Sequence, residues 1–144
     1  MNCDIDYLLQ KTSRTFALSI PLLESPLRES VSLAYLLFRV ADTFEDADRW
    51  TFSRKKTALT SFKNMLLGAG NRGMLNELCA ESPPCENQYY LQLISAAPNL
   101  IEKLRQLPDN ERKIISFHLS RTIDGMVKFL DKYDDDIVLE NLTD

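Results

Sequence analysis

Apolar residues recur along this chain at helical spacing, and the polar residues between them mark where each helix starts and stops. A first helix is predicted from Ile5 to about Leu22, capped by Asp4 and closed before the Ser25-Pro26 pair. Ser25 then serves as N-cap of a second helix, and Pro26 takes its first position, where the missing N–H costs nothing. This second helix is predicted to run to about Asp48. A third, Ser53 to about Leu67, repeats Leu59, Phe62, Met65 and Leu66 on one face and is closed by Gly68 and Gly70. From Gly70 to Asn87 the residues Asn71, Gly73, Pro83 and Pro84 predict a loop, with one helical turn around Leu75 to Cys79. Two short helices follow, Asn87 to Ala97 and Pro98 to Leu107, and Asp109 caps a last long one to about Tyr133.

The second helix stands apart from the rest. Its stretch Leu33-Ala34-Tyr35-Leu36-Leu37-Phe38 is apolar on nearly every face, the pattern of a helix buried on all sides. It then ends in Asp42, Glu45 and Asp46, whose i, i+3, i+4 spacing sets three carboxylates on one face. Like charges at that spacing cost roughly 0.2–0.5 kcal/mol per pair, so something other than helix stability keeps them together. A divalent cation would do so. Mg²⁺ takes hard oxygen ligands and is commonly held by one or two carboxylates together with substrate phosphates. The plainer alternative is a solvated acidic helix end.

Composition narrows the field. The chain has 144 residues, 44% of them apolar and 26% charged, with only 4 glycines and few β-branched clusters, so a single all-α domain is expected. A net charge of −4 and an isoelectric point near 5.1 leave no basic field for nucleic acid. Cys3, Cys79 and Cys85 are odd in number and lack metal-ligand spacing, with only His118 to add an imidazole; a reduced, cytoplasmic setting without zinc is expected. Asp4 and Asp6 stand where a signal peptide would be basic, and no apolar stretch reaches the roughly 20 residues of a membrane span. Peripheral membrane contact stays open.

Further polar residues surround the acids. Tyr35 and Arg39 lie on successive turns before Asp42, so Tyr35, Arg39, Asp42 and Asp46 form one stripe. The fork of Arg39 suits either a leaving diphosphate or a structural role in neutralising Asp42 or Glu45. Tyr35 reads equally as a core tyrosine with one hydrogen-bond partner. Ser13-Arg14-Thr15-Phe16 sets a second cation and two hydroxyls inside the first helix, with Arg14 as either another phosphate ligand or a surface arginine.

On these residues the chain resembles the N-terminal half of the squalene and phytoene synthase family. Ser13-Arg14-Thr15-Phe16 is similar to that family's Ser-Arg-Ser-Phe segment, and Tyr35 through Asp46 to its first aspartate-rich helix. Ser120 through Leu130 is similar to its glycine-methionine segment, which lines the isoprenoid pocket. The resemblance implies an all-α isoprenoid-synthase-like bundle and head-to-head condensation of two prenyl diphosphates, farnesyl or geranylgeranyl, through a cyclopropyl intermediate. It implies Asp42, Glu45 and Asp46 as Mg²⁺ ligands, with Glu45 in support. Tyr35 would lie near the reacting carbons, and Arg14 and Arg39 at the diphosphate. Ser13, Phe16, Gly125, Met126 and Phe129 complete the expected substrate contacts. Gly125 sacrifices up to about 1 kcal/mol of helix propensity, which a close approach by a prenyl chain or another helix would explain. Whether NADPH serves a later reductive step is not readable.

The family places a second aspartate-rich helix and a Tyr-Cys-x-Tyr-Val-Ala-Gly segment after its glycine-methionine helix, in members about twice this length. Asp131, Asp134, Asp135 and Asp136 partly repeat the acidic spacing, but they stand at a helix end without an apolar helix to carry them inward, and are read as a solvated tail. The chain is therefore expected to be an N-terminal part, incomplete as a catalyst by itself. Its apolar face from Leu33 to Val40 is expected to be partly uncovered and to drive homo-oligomerisation. The alternative function is a non-catalytic, squalene-synthase-like interaction or assembly protein.

Overall fold

The computed structural model describes residues 4–13, 18, 19, 22–25, 27–69 and 72–143, leaving aside the side chains of 72, 74 and 134–143. Among the described residues there are helices and no strands, so the expected all-α class holds. The helices are α1 (Ile5–Thr12), α2 (Leu27–Glu45), α3 (Phe52–Leu66), α4 (Arg72–Glu81), α5 (Gln88–Ser95), α6 (Ala97–Arg105) and α7 (Asp109–Thr143).

Several boundaries depart from the sequence pattern, among them the end of α2, which stops at Glu45 rather than near Asp48. Asp4 caps α1 as expected, accepting from the Tyr7 N–H at 3.1 Å, but the helix stops at Thr12. Ser13 is already extended (φ −159°, ψ 110°), and the Thr12 hydroxyl turns back to the Leu8 carbonyl at 2.6 Å. Ser13 thus follows the first helix rather than lying within it. Residues 72–81, expected as a loop with one helical turn, form the whole of α4. Leu75 is buried, and Leu78 and Cys79 pack against the core beside it, so tertiary packing outweighs the poor propensities of Gly73 and Asn76. The last helix runs ten residues past Tyr133, with Thr143 as its final residue.

Helix α2 is the axis of the bundle, touching α1, α3, α5, α6 and α7. Leu33, Leu36, Leu37, Val40, Ala41 and Phe44 are all but inaccessible to solvent. The stretch from Leu33 to Val40, expected to be partly uncovered, buries Leu33, Leu36, Leu37 and Val40 within this chain and leaves Ala34, Tyr35 and Phe38 partly open. Helix α2 is not buried on all sides, however: Val31, Ala34, Tyr35, Phe38, Arg39, Asp42 and Glu45 are only half-buried and leave one open face. Exposed apolar side chains also lie on α7, at Ile114, Phe117, Phe129 and Tyr133, and Leu27 is exposed at the start of α2.

Helices α3 and α7 run antiparallel. Lys56 pairs with Asp131 and Lys63 with Asp124, both at 2.7 Å, so one helix ascends as the other descends. Ser30 donates to Glu111 at 3.1 Å and joins the beginnings of α2 and α7. A Schellman turn closes α3, with Gly68 at φ 84° and the Ala69 N–H bonded to the Asn64 carbonyl at 2.8 Å. Gly70 lies outside the described residues.

The turn after α2 is fastened by Trp50. Its ring stacks on Phe44 (5.8 Å, 12°), its indole N–H donates to the Ser82 carbonyl at 2.7 Å, and the Arg54 guanidinium lies 5.4 Å over it. Arg54 also reaches the Leu78 carbonyl and Glu81, while Arg49 pairs with Glu86. The end of α4 is thereby held beside the end of α2. Cys79 and Cys85 are free, and burial pushes the Cys79 thiol up to about 11, which leaves it inert near neutrality.

Candidate diphosphate and metal site

The open face of α2 carries the candidate site. Tyr35, Arg39 and Asp42 are half-buried on successive turns of it, and Asp46 continues the stripe one residue beyond the helix. Asp46 stays in helical register because its N–H bonds to the Asp42 carbonyl at 2.8 Å. The Thr43 hydroxyl, back-bonded to the Arg39 carbonyl at 2.8 Å, secures the same turn. The stripe read from the spacing is a physical row.

No described residue donates a hydrogen bond to the side chains of Asp42, Glu45 or Asp46. The Arg39 Nη1 stands 3.8 Å from Asp42 Oδ2, an ion pair too long for a hydrogen bond. Burial raises the Asp42 carboxyl above its ordinary value of 3.8; Arg39 opposes that shift and Asp46 adds to it. Burial also raises Glu45, with Asp46 and Asp42 reinforcing it and Lys55 opposing. Lys55 is itself 9% exposed, its ammonium 5.4 Å from the Phe52 ring centroid. The acids thus hold negative charge that their surroundings do not fully neutralise.

Arg39 is held from another helix. Its Nη2 donates to the Tyr90 hydroxyl at 2.7 Å, and its guanidinium carbon lies 4.9 Å from the Tyr90 ring centroid. Burial alone would lower the Arg39 pKa, but the Tyr90 hydrogen bond, with Tyr35 and Asp42 nearby, outweighs it and holds the guanidinium more firmly protonated than usual.

Hard carboxylate oxygens on adjoining turns are a donor set that fits Mg²⁺ shared with phosphate oxygens. They are not a closed cage: among the described residues no three His, Cys, Asp or Glu side chains come together to hold a metal by themselves.

The other expected site residues are spread more widely. Ser13 sits at the C-cap of α1, while Arg14 and Phe16 lie outside the described residues. Met126 is 8% exposed and belongs to the core, whereas Gly125 faces open space and a Cβ there would meet nothing within 4 Å. Phe129 is exposed and stacked on Tyr133 at 6.0 Å. Asp131, set aside as a metal ligand, is the partner of Lys56. Tyr90 and Lys55 were not found from sequence. Nothing in a helical period tells that residue 90 returns to residue 39.

Comparison with known families decides the lineage. The model of the squalene/phytoene synthase family matches residues 9–143, nearly the whole chain. The chain belongs to the squalene/phytoene synthase family. It is similar to human squalene synthase, 30% identical over 125 residues, which are 87% of this chain and 28% of that protein. The Dictyostelium discoideum squalene synthase is 31% identical over 129 residues, again 87% of this chain and 28% of that one. Squalene synthase BSS of Botryococcus braunii is 27% identical over 125 residues, 87% and 25% respectively. The chain therefore spans about a quarter of the length of the curated relatives it matches, which exceed the twofold length expected. Family membership makes this a prenyltransferase-type domain, and no helix among the described residues is long and apolar enough to cross a membrane.

Proposed function

We propose that this chain forms the first diphosphate-binding wall of a Mg²⁺-dependent prenyltransferase joining two prenyl diphosphates head to head into a squalene- or phytoene-type product. The observation that carries this reading is the α2 face itself. Three carboxylates that accept no hydrogen bond from a described residue share it with an arginine and with an apolar cleft. That cleft, of about 170 Å³, lies between the beginnings of α2 and α7 and includes Val31, Ala34, Ile114 and Ile115. Val31 is on the same face as Asp42, about 16 Å along the helix. Charge at one end and apolar surface at the other match an allylic diphosphate with its tail.

Asp42 and Asp46, with Glu45 in support, are the residues that would hold Mg²⁺. When bound, the ion draws negative charge from the leaving group and eases its departure. Arg39 meets phosphate oxygens through Nη1, which makes no hydrogen bond to a described residue. Tyr35, one turn earlier, faces the carbons next to the diphosphate. Homo-oligomerisation would use exposed apolar side chains of α7 outside the cleft, Phe117 and Tyr133 among them.

Calorimetric titration with farnesyl diphosphate tests this reading, with and without Mg²⁺, using the chain and an Asp42→Ala, Asp46→Ala variant. Metal-dependent binding that the variant loses is expected. Absence of binding, or equal binding by the variant, would overturn the reading in favour of an interaction module that keeps the family fold.

A further inference from the structure

Arg39 offers five N–H donors, and their surroundings differ sharply. Nη2 is taken by the Tyr90 hydroxyl at 2.7 Å. Nε is buried and has no hydrogen-bond partner. A buried donor left unpaired is costly, and that cost persists where something else fixes the group. Nη1 makes no hydrogen bond to a described residue and stands 3.8 Å from Asp42 Oδ2, on the side of the carboxylates. The fork is therefore clamped at one end, closed at its stem, and free at the end facing the acids.

Tyr90 is well built for that clamp. It stands in the first turn of α5, where Asn87 accepts from the Tyr89 N–H at 2.9 Å and the Tyr90 N–H at 3.4 Å. Helix α5 packs on both α1 and α2, and the Tyr90 ring leans on the core. The phenol is thus fixed at its backbone and along its ring before it meets the guanidinium. An arginine side chain otherwise loses much rotamer freedom on reaching a phosphate, and prior fixation removes part of that cost.

We propose that Tyr90 is a positioning residue for diphosphate recognition, holding Arg39 by Nη2 so that Nη1 meets phosphate oxygens beside Asp42. The proposal rests on the reading of the α2 face given above and assigns that site a contributor from a different helix. Tyr90 touches no substrate. It acts only through Arg39.

A double-mutant cycle on the full chain tests it, with Mg²⁺ and inorganic pyrophosphate as the probe in calorimetry. Tyr90→Phe keeps the ring and removes the hydroxyl, so the fold is retained, as a thermal melt would verify. Tyr90→Phe is expected to weaken binding about tenfold, the worth of one charge-assisted hydrogen bond. Arg39→Ala should weaken it further, and adding Tyr90→Phe to Arg39→Ala should change nothing more. Hydrogen exchange of the Arg39 guanidinium, read by ¹⁵N NMR without ligand, should speed up in Tyr90→Phe. If the chain binds pyrophosphate and Tyr90→Phe binds equally well, or if it loses the same factor with Arg39 absent, the positioning role is wrong while the site stands. If the unmodified chain binds no pyrophosphate, the site reading fails and this proposal falls with it.

Discussion

Replacing Asp42 by Asn should stabilise the free protein while removing its metal response. Asn and Asp have similar helix propensities, so the change acts mainly through charge. It abolishes two like-charge contacts, to Glu45 at i+3 and Asp46 at i+4, each worth roughly 0.2–0.5 kcal/mol. It also loses the 3.8 Å pair with Arg39, whose side chains are 32% and 42% exposed. A pair so exposed contributes at most about 0.5 kcal/mol. Because Asp42 titrates above its ordinary value despite Arg39, burial and repulsion outweigh that pair. The net expectation is a gain of about 0.5 kcal/mol, or 1–2 °C in melting temperature for a chain of this size. Thermal melts followed by circular dichroism at pH 7, low salt and no Mg²⁺ would measure it. The pH dependence has a definite sign: a carboxyl raised in the folded state binds its proton more tightly there, so its ionisation costs stability. The advantage of Asn should be full above the raised folded value and vanish below the unfolded value near 3.8. Salt at 1 M should shrink it as well. A destabilised Asp42→Asn at pH 7 would mean that the Arg39 pair dominates, and would refute the description of the acids as uncompensated charge.

Phe62→Ala, which empties a fully buried site set edge-on to Phe44 at 6.2 Å, should cost about 3–5 kcal/mol in urea denaturation. A cost below 1 kcal/mol would show that the core closes around the gap. The two glycines should respond oppositely: Gly125→Ala, in open helical space, should raise stability by up to about 1 kcal/mol, and Gly68→Ala, at φ 84°, should lower it by about the same. Equal signs in thermal melts would contradict the backbone argument. Asn87→Ala, which uncaps α5, should cost about 1 kcal/mol and weaken Mg²⁺-pyrophosphate binding through Tyr90, whereas a stability loss with unchanged binding would separate the cap from the site.

What could be read from the chain was what local periodicity controls. The spacing of Tyr35, Arg39, Asp42 and Asp46 fixes their common face whatever surrounds the helix, and Asp4 reveals its cap through the chemistry of its own side chain. Helix α4 was missed because its stability comes from Leu75 and Leu78 meeting α3, a contact that no local propensity contains. The reading of α2 as buried on all sides was misjudged for the same reason: burial depends on which helices return to α2. Tyr90 is the clearest instance. Its importance lies in an atom of Arg39, fifty-one residues away in sequence.

Trp50 is the sole tryptophan of the chain. It is 5% exposed, stacked on the last aromatic residue of α2 and tied by its indole N–H to the segment that follows α4. Its emission therefore comes from one place, four residues beyond Asp46. Any rearrangement of that turn, whether by a cation at the acids or by loosening of residues 78–86, would alter the colour or intensity of the only indole present. The protein carries its own optical reporter, and occupancy of the site can be followed in solution without a label.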